Sequence, residues 1–194
     1  MVGGLVLKTK VLGCNLVISP IFMGMITIIL MIDGTGLMVD TLGAMLVHEL
    51  GHLLVLWWVG CFPKEIRLLP FEINVIAPKT TVGIGQEIFI SAAGVMANLL
   101  VFGCVPSSFG QINLYLAIFH ALPLYSLDGY QVFALIFGEK SLILAALSRG
   151  TAAVLLFLGV GLLVYGHNPM LLLFLLYLSV VGFGEKRKLK NNGK

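Results

Sequence analysis

The chain has 194 residues, of which 59% are hydrophobic and only 11% are charged, and its formal net charge is +3. So few charged side chains cannot cover the surface of a soluble domain of this size, which excludes that class of protein. The mean hydropathy of +1.04 and the recurring apolar runs instead predict a single integral membrane domain over residues 1–194.

The apolar runs predict an all-α membrane protein with six transmembrane helices. In chain order, their expected positions are about 11–32, 38–60, 88–105, 111–137, 142–165 and 169–184. The fourth run contains Pro123 and Gly129, so we expect that helix to be kinked or broken.

The basic residues indicate how such a multi-pass protein would be oriented. All 12 Lys and Arg residues lie in four segments, 1–10, 61–87, 138–149 and 185–194. The other connecting segments, 33–37, 106–110 and 166–168, carry none. Because basic loops stay on the cytoplasmic side, both termini are expected in the cytoplasm. A short basic tail after a membrane helix is typical of that side, so we expect no nucleic-acid partner.

The polar segment 61–87 contains the stretch KEIRLLPFEINVI, residues 64–76, in which apolar and polar residues partly alternate. The alternation is compatible with a short β-hairpin at the cytoplasmic face of the membrane, and also with an irregular amphipathic loop. If it forms strands, we expect Arg67–Val75 to pair with an extended substrate segment through backbone hydrogen bonds.

The residues His48-Glu49-Leu50-Gly51-His52 form an HExxH motif inside the second predicted helix. Residues four apart share a helix face, so both imidazoles can bind one metal ion, and Glu49 can take a proton from its bound water. Ionisable side chains in a membrane helix are costly unless they pair, bind metal or line a cavity. The motif favours a zinc-dependent protease. A polar cluster joining helices and a metal or proton transporter are the alternatives.

A catalytic zinc ion usually has three protein ligands, and Asp128 is the best candidate for the third. It follows the proline interruption in the fourth predicted helix, where irregular backbone can line a cavity. His167 is expected on the opposite face of the membrane. The alternative for Asp128 is that it caps a broken helix.

Three segments together resemble the site-2 protease family of intramembrane zinc metalloproteases. They are VHELGH at 47–52, KEIRLLPF at 64–71 with SAAGVMANLL at 91–100, and FHALPLYSLDG at 119–129. The resemblance is greatest to the branch that includes stage IV sporulation protein FB. We expect the nucleotide-sensing domain of that branch to be lacking here.

This resemblance implies an intramembrane zinc metalloendopeptidase of the bacterial cell membrane, acting in regulated intramembrane proteolysis. Zn²⁺ would be bound by His48, His52 and Asp128, and Glu49 would be the general base. The substrate would be a membrane-associated protein, such as a sigma-factor precursor or an anti-sigma factor. Membrane regulatory proteins are possible further partners.

The sequence departs from the family pattern at His120, where the family usually has an Asn that is thought to position substrate. His120 could hydrogen-bond in the same way or bind the metal. Asn98 matches another family Asn, and it could join helices or take part in catalysis. A catalytically inactive relative that binds membrane partners is therefore a further alternative.

Overall fold

The structure is a computed structural model, and it describes residues 7–11, 14–69, 72–76, 82–125 and 127–166. The described chain consists of helices together with one small β-sheet. The elements in chain order are β1 (Leu7–Val11), β2 (Cys14–Ile18), α1 (Pro20–Ile32), α2 (Leu37–Trp58), β3 (Glu65–Leu69), β4 (Glu72–Ile76), α3 (Ile84–Cys104), α4 (Ser108–His120), α5 (Asp128–Phe137) and α6 (Leu142–Gly166).

Three helices of the described chain, α2, α3 and α6 over Leu142–Gly161, are long and apolar enough to cross a membrane. Their outward faces carry exposed apolar side chains, such as Leu54 and Trp57 on α2 and Leu100 on α3. Lipid tails are as apolar as these side chains, so such exposure is expected of a membrane protein. The sixth predicted span, 169–184, lies outside the described residues.

Helix α2, which carries the HExxH motif, has a defined beginning. Asp33 precedes it, and its Oδ2 accepts a hydrogen bond of 2.9 Å from the backbone N–H of Met38. Its Oδ1 accepts one of 3.1 Å from the backbone N–H of Thr35. The first N–H groups of a helix have no partner within the helix, so this carboxylate supplies one at the first turn.

The fourth predicted span is broken, as expected from its proline. Helix α4 ends at His120, and α5 begins at Asp128. Pro123 cannot donate the hydrogen bond that a continuous helix needs. A Cβ on Gly129 would lie 2.1 Å from the carbonyl oxygen of Ala121, so the start of α5 packs directly on the end of α4. The break therefore holds His120 and Asp128 near each other.

The prediction of a first helical span over 11–32 is wrong in its first half. Residues Cys14–Ile18 form β2, and the helix begins at Pro20, a residue that fits the first position of a helix. The remaining helix has 13 residues. Hydropathy alone does not distinguish a buried strand from a helix, and here the partner strand β3 decides the structure.

Of the two alternatives left open for 64–76, a hairpin and an irregular loop, the structure has the hairpin: β3 and β4 pair antiparallel. It belongs to a four-stranded sheet of order β1-β2-β3-β4, in which β2 and β3 run parallel. The all-α prediction is therefore corrected to a mostly helical fold with a four-stranded sheet. The N-terminal hairpin, which was not predicted from the sequence, contributes half of that sheet.

Strand β3 has β2 on one side and β4 on the other. In the described part of the chain, β4 has no neighbour on its outer side and forms one edge of the sheet. The expectation that the whole of Arg67–Val75 could pair with substrate therefore narrows to β4, because the backbone groups of β3 are already paired on both sides.

Candidate metal centre

The two histidines of the HExxH motif lie one turn apart on α2 and point to the same place. Their Nε2 atoms are 3.2 Å apart, and the centroids of their rings are 4.9 Å apart. His48 is buried and His52 is partly buried. The motif thus places two imidazole nitrogens on the inward face of an apolar helix.

Asp128, the first residue of α5, faces these two nitrogens. Its Oδ2 is 2.8 Å from His48 Nε2, and its Oδ1 is 3.4 Å from His52 Nε2. Zinc bonds to N and O are about 2.0–2.2 Å long, which gives neighbouring ligand atoms of a tetrahedral site a separation of about 3.3 Å. The three groups chosen from the sequence therefore meet with spacings that suit one metal ion.

One carboxylate oxygen of Asp128 has no hydrogen-bond donor among the described residues. Oδ2 is buried and accepts no hydrogen bond from the described residues, although His48 Nε2 lies beside it. Two groups that both offer lone pairs can lie this close when a cation is shared between them, and a buried acceptor needs such a partner. The donor set of two imidazoles and a carboxylate is one that zinc commonly takes.

Helix α3 passes so close to the two histidines that only glycine fits at the crossing. A Cβ on Gly94 would lie 2.4 Å from His52 Nε2 and 2.6 Å from His48 Nε2. On the opposing helix, a Cβ on Gly51 would lie 2.7 Å from the carbonyl oxygen of Ala93. Small residues allow helices to approach closely in membranes. Sequence reasoning missed the role of Gly94, although the run Ala92-Ala93-Gly94 is a signal for such a crossing.

The outer nitrogens of both motif histidines also contact α3. His52 Nδ1 lies 2.7 Å from the carbonyl oxygen of Ile90. A carbonyl oxygen only accepts, so Nδ1 carries the proton and Nε2 presents its lone pair to the site. This second contact fixes the tautomer and the orientation of a metal-binding histidine.

Asn98 gives His48 a comparable partner. Its side chain is fully buried, and its amide lies 3.4 Å from His48 Nδ1 through Nδ2, while Oδ1 has no partner in the described chain. A half-turn of the amide exchanges its oxygen and nitrogen, and Oδ1 then accepts the proton of His48 Nδ1. In that arrangement Nε2 of His48 is left to face Asp128.

Two further residues of the sequence analysis lie at this place. Glu49 follows His48 on α2, is partly buried, and lies near enough to interact electrostatically with His48, His52 and Asp128. His120 lies against His48, with ring centroids 4.1 Å apart. The ligand atoms of His48, His120 and Asp128 all lie within 4.8 Å of one another. His167 lies outside the described residues.

Comparison with known proteins supports the fold. No protein-family model matches the sequence, and no curated protein matches it either. Among solved structures, the chain is similar to the site-2 protease from Methanocaldococcus jannaschii, with a TM-score of 0.60 and 19% sequence identity. The match covers 93% of this chain and 95% of that one. This chain therefore has the fold of a site-2 protease, and it carries a cluster of histidine and aspartate side chains suited to a metal ion.

Proposed function

We propose that this protein is an intramembrane zinc metalloendopeptidase in which His48, His52 and Asp128 bind the metal and Glu49 is the general base. The observation that carries the proposal is the meeting of three ligand groups, two imidazoles and one carboxylate, between α2 and the break that precedes α5. Their N and O atoms lie 2.8–3.4 Å apart. Ionisable groups inside apolar helices are retained where they have such a function. The shared fold of a solved site-2 protease agrees with this assignment.

The chemistry that a zinc ion supplies at such a site is polarisation of the scissile carbonyl and activation of a water molecule. The carboxylate of Glu49 takes a proton from the attacking water, whose oxygen forms a bond to the carbonyl carbon. When the carbon–nitrogen bond breaks, Glu49 returns that proton to the leaving amine. His52 and His48 keep their orientation through Ile90 and Asn98, which limits the rearrangement needed during the reaction.

A peptide bond inside a helix is shielded, so we propose that substrate is held extended by β4. Backbone donors Asn15 N and Ser19 N bond to the carbonyl oxygens of Lys64 and Leu68, so alternate residues of β3 face β2. The backbone groups of the intervening β3 residues face β4, where Asn74 pairs with Arg67 and Glu72 pairs with Leu69. Because successive residues of a strand point their backbone groups in opposite directions, those of Ile73 and Val75 face the open edge. An added substrate strand would bond there.

The substrate class that we propose is a membrane-associated protein. Its restriction to a sigma-factor precursor or an anti-sigma factor, and the place in the sporulation branch, stay predictions from the sequence resemblance. A cytoplasmic orientation of both termini in a bacterial membrane stays a prediction as well.

Mass spectrometry of membrane peptides from cells that make the wild type or Glu49→Gln tests the activity directly. We expect peptides from a small set of membrane proteins to disappear in Glu49→Gln, while the purified variant keeps its zinc. Glu87→Gln is a matched control, since Glu87 lies in the first turn of α3 and not on the helix that carries the motif. Identical peptides from wild-type and Glu49→Gln cells would refute the protease and favour a transporter or an inactive relative.

A further inference from the structure

His120 is a third imidazole at the proposed metal centre, and the mechanism described above does not use it. It is the last residue of α4, and its ring is tilted by 43° against that of His48 at a centroid distance of 4.1 Å. Its ligand atom lies within 4.8 Å of those of His48 and Asp128. The break between α4 and α5 thus delivers two candidate ligands, one from each of its ends.

The hydrogen bonding of His120 decides what its inner nitrogen can do. Nδ1 lies 3.1 Å from the carbonyl oxygen of Leu116. Since a carbonyl oxygen only accepts, Nδ1 carries the proton of the neutral ring, and Nε2 holds a lone pair without a hydrogen. The neutral ring therefore cannot donate a hydrogen bond from Nε2 to a substrate carbonyl, as an Asn amide at this position could.

This arrangement repeats the one found at His52. In both residues Nδ1 is bound to a backbone carbonyl, of Ile90 for His52 and of Leu116 for His120, so the lone pair of the neutral ring is on Nε2. Histidines that bind metal ions almost always donate their other ring N–H to such an acceptor. His120 therefore meets the same requirement for a metal ligand that His52 meets.

We propose that His120 is a third histidine ligand of the metal, and that its Nε2 fills the position that zinc proteases leave open. This inference rests on the metal site of the proposed function. A centre with three imidazoles and one carboxylate is closed in the manner of a structural zinc site. Water and a substrate carbonyl can enter only when the bond to His120 breaks. His120 keeps its Nδ1 proton in that exchange, so no proton is gained or lost.

The consequence is a resting enzyme that does not hydrolyse peptides until substrate displaces His120. A bound ion would draw the four ligand atoms together to separations of about 3.3 Å, the edge of a tetrahedral site. His48, His52 and Asp128 already have this spacing among themselves. His120, at the end of α4, would therefore be the residue that moves when the ligand is exchanged.

X-ray absorption at the zinc edge of the purified full-length protein counts the imidazoles directly. We expect three imidazoles per zinc in the wild type and two in His120→Asn. The zinc affinity of that variant should fall at least about tenfold, since even outer-shell partners of a ligand contribute that much. Tyr115→Phe is a matched control on α4 because its side chain is exposed, and it should keep three imidazoles. Two imidazoles in the wild type, or an unchanged number in His120→Asn, would overturn the proposal.

The wild-type count does not depend on any variant folding, and it separates the two hypotheses. Zinc with two imidazoles removes only the role of His120, whereas a protein that binds no zinc removes the metal site and this inference with it. Cleavage gives a second readout. With zinc bound, His120→Asn should hydrolyse the substrate found with Glu49→Gln faster than the wild type, because no ligand has to be displaced first, whereas His52→Asn should not hydrolyse it. Loss of cleavage in a His120→Asn protein that is folded and zinc-loaded would show that His120 acts in the reaction itself, contrary to the proposal.

Discussion

Oδ2 of Asp128 lies 2.8 Å from Nε2 of His48, although the two residues belong to different helices and are far apart in sequence. In the described chain this oxygen accepts no hydrogen bond and is buried. Such a pair is costly in an apolar protein interior unless a cation lies between its members. The first prediction concerns that cation.

We expect about one zinc ion per chain in the purified wild type. His48→Ala, His52→Ala and Asp128→Ala should each lose most of it, because each removes a ligand group that already lies at metal-binding spacing from the other two. Glu49→Gln should keep it, since Glu49 is assigned to proton transfer. Metal analysis of the folded proteins measures this. Full zinc content in Asp128→Ala would remove that residue from the ligand set.

The second prediction concerns the crossing of α2 and α3. Gly94→Ala should displace the imidazoles and lower zinc binding, because the new Cβ would lie 2.4 Å from His52 Nε2. Overpacking of this kind costs about 1–3 kcal/mol.

Gly103→Ala is the matched control for Gly94→Ala. It lies on the same helix, and a Cβ there meets nothing within 4 Å. Alanine is the better helix former, so Gly103→Ala should keep zinc and stability. Zinc titration and thermal unfolding of both variants give the comparison, and equal zinc affinity in the two would contradict the close crossing.

The third prediction concerns Asn98 as the partner of His48 Nδ1. Asn98→Leu should lower zinc affinity about 10–100-fold, the usual effect of removing an outer-shell partner. Asn98→Asp should keep the affinity, since a carboxylate also accepts the Nδ1 proton. Asn113 is a buried Asn on α4 whose amide bonds to the carbonyl oxygen of Phe109. Asn113→Leu should destabilise the protein without changing zinc affinity. If Asn98→Leu kept the zinc affinity of the wild type, Asn98 would only join helices.

The fourth prediction concerns substrate pairing at the edge of the sheet. Ile73→Pro should sharply reduce cleavage with zinc still bound, because it removes a donor that faces away from β3. Ile73→Val keeps the donor and should be nearly neutral. Asn74→Pro removes a donor that faces β3, so it should instead disturb the hairpin itself. Normal cleavage by a folded, zinc-loaded Ile73→Pro protein would exclude strand addition at β4.

The fifth prediction concerns orientation in the membrane. We expect a cysteine at position 108 to react with an impermeant thiol reagent in intact cells and a cysteine at position 191 to be protected, since the basic segments mark the cytoplasmic side. The native cysteines, Cys14, Cys61 and Cys104, are replaced first. The opposite labelling pattern would reverse the topology.

Local sequence was sufficient to identify several parts of this protein. The spacing of His48 and His52 places them on one helix face wherever that helix lies, because the helical repeat is local. Pro123 interrupts the fourth apolar run because its ring removes a backbone donor, and the break is found where it was predicted. The alternation in 64–76 was compatible with the hairpin that forms there, since the side chains of a strand alternate in the same way, but it left an irregular loop open as well.

Tertiary structure decided the features that depend on a distant partner. Residues Cys14–Ile18 belong to an apolar run that could equally form a membrane helix, and their pairing with β3 makes them a strand. Gly94 is an ordinary helical glycine in sequence, and only the approach of α3 to His48 and His52 excludes a side chain there. The same is true of His120. Its sequence position left substrate binding and metal binding open, whereas the contact of its Nδ1 with Leu116 leaves the lone pair of the neutral ring on Nε2. Periodicity and covalent chemistry act within a few residues, but packing and hydrogen bonding between helices are set by the whole chain.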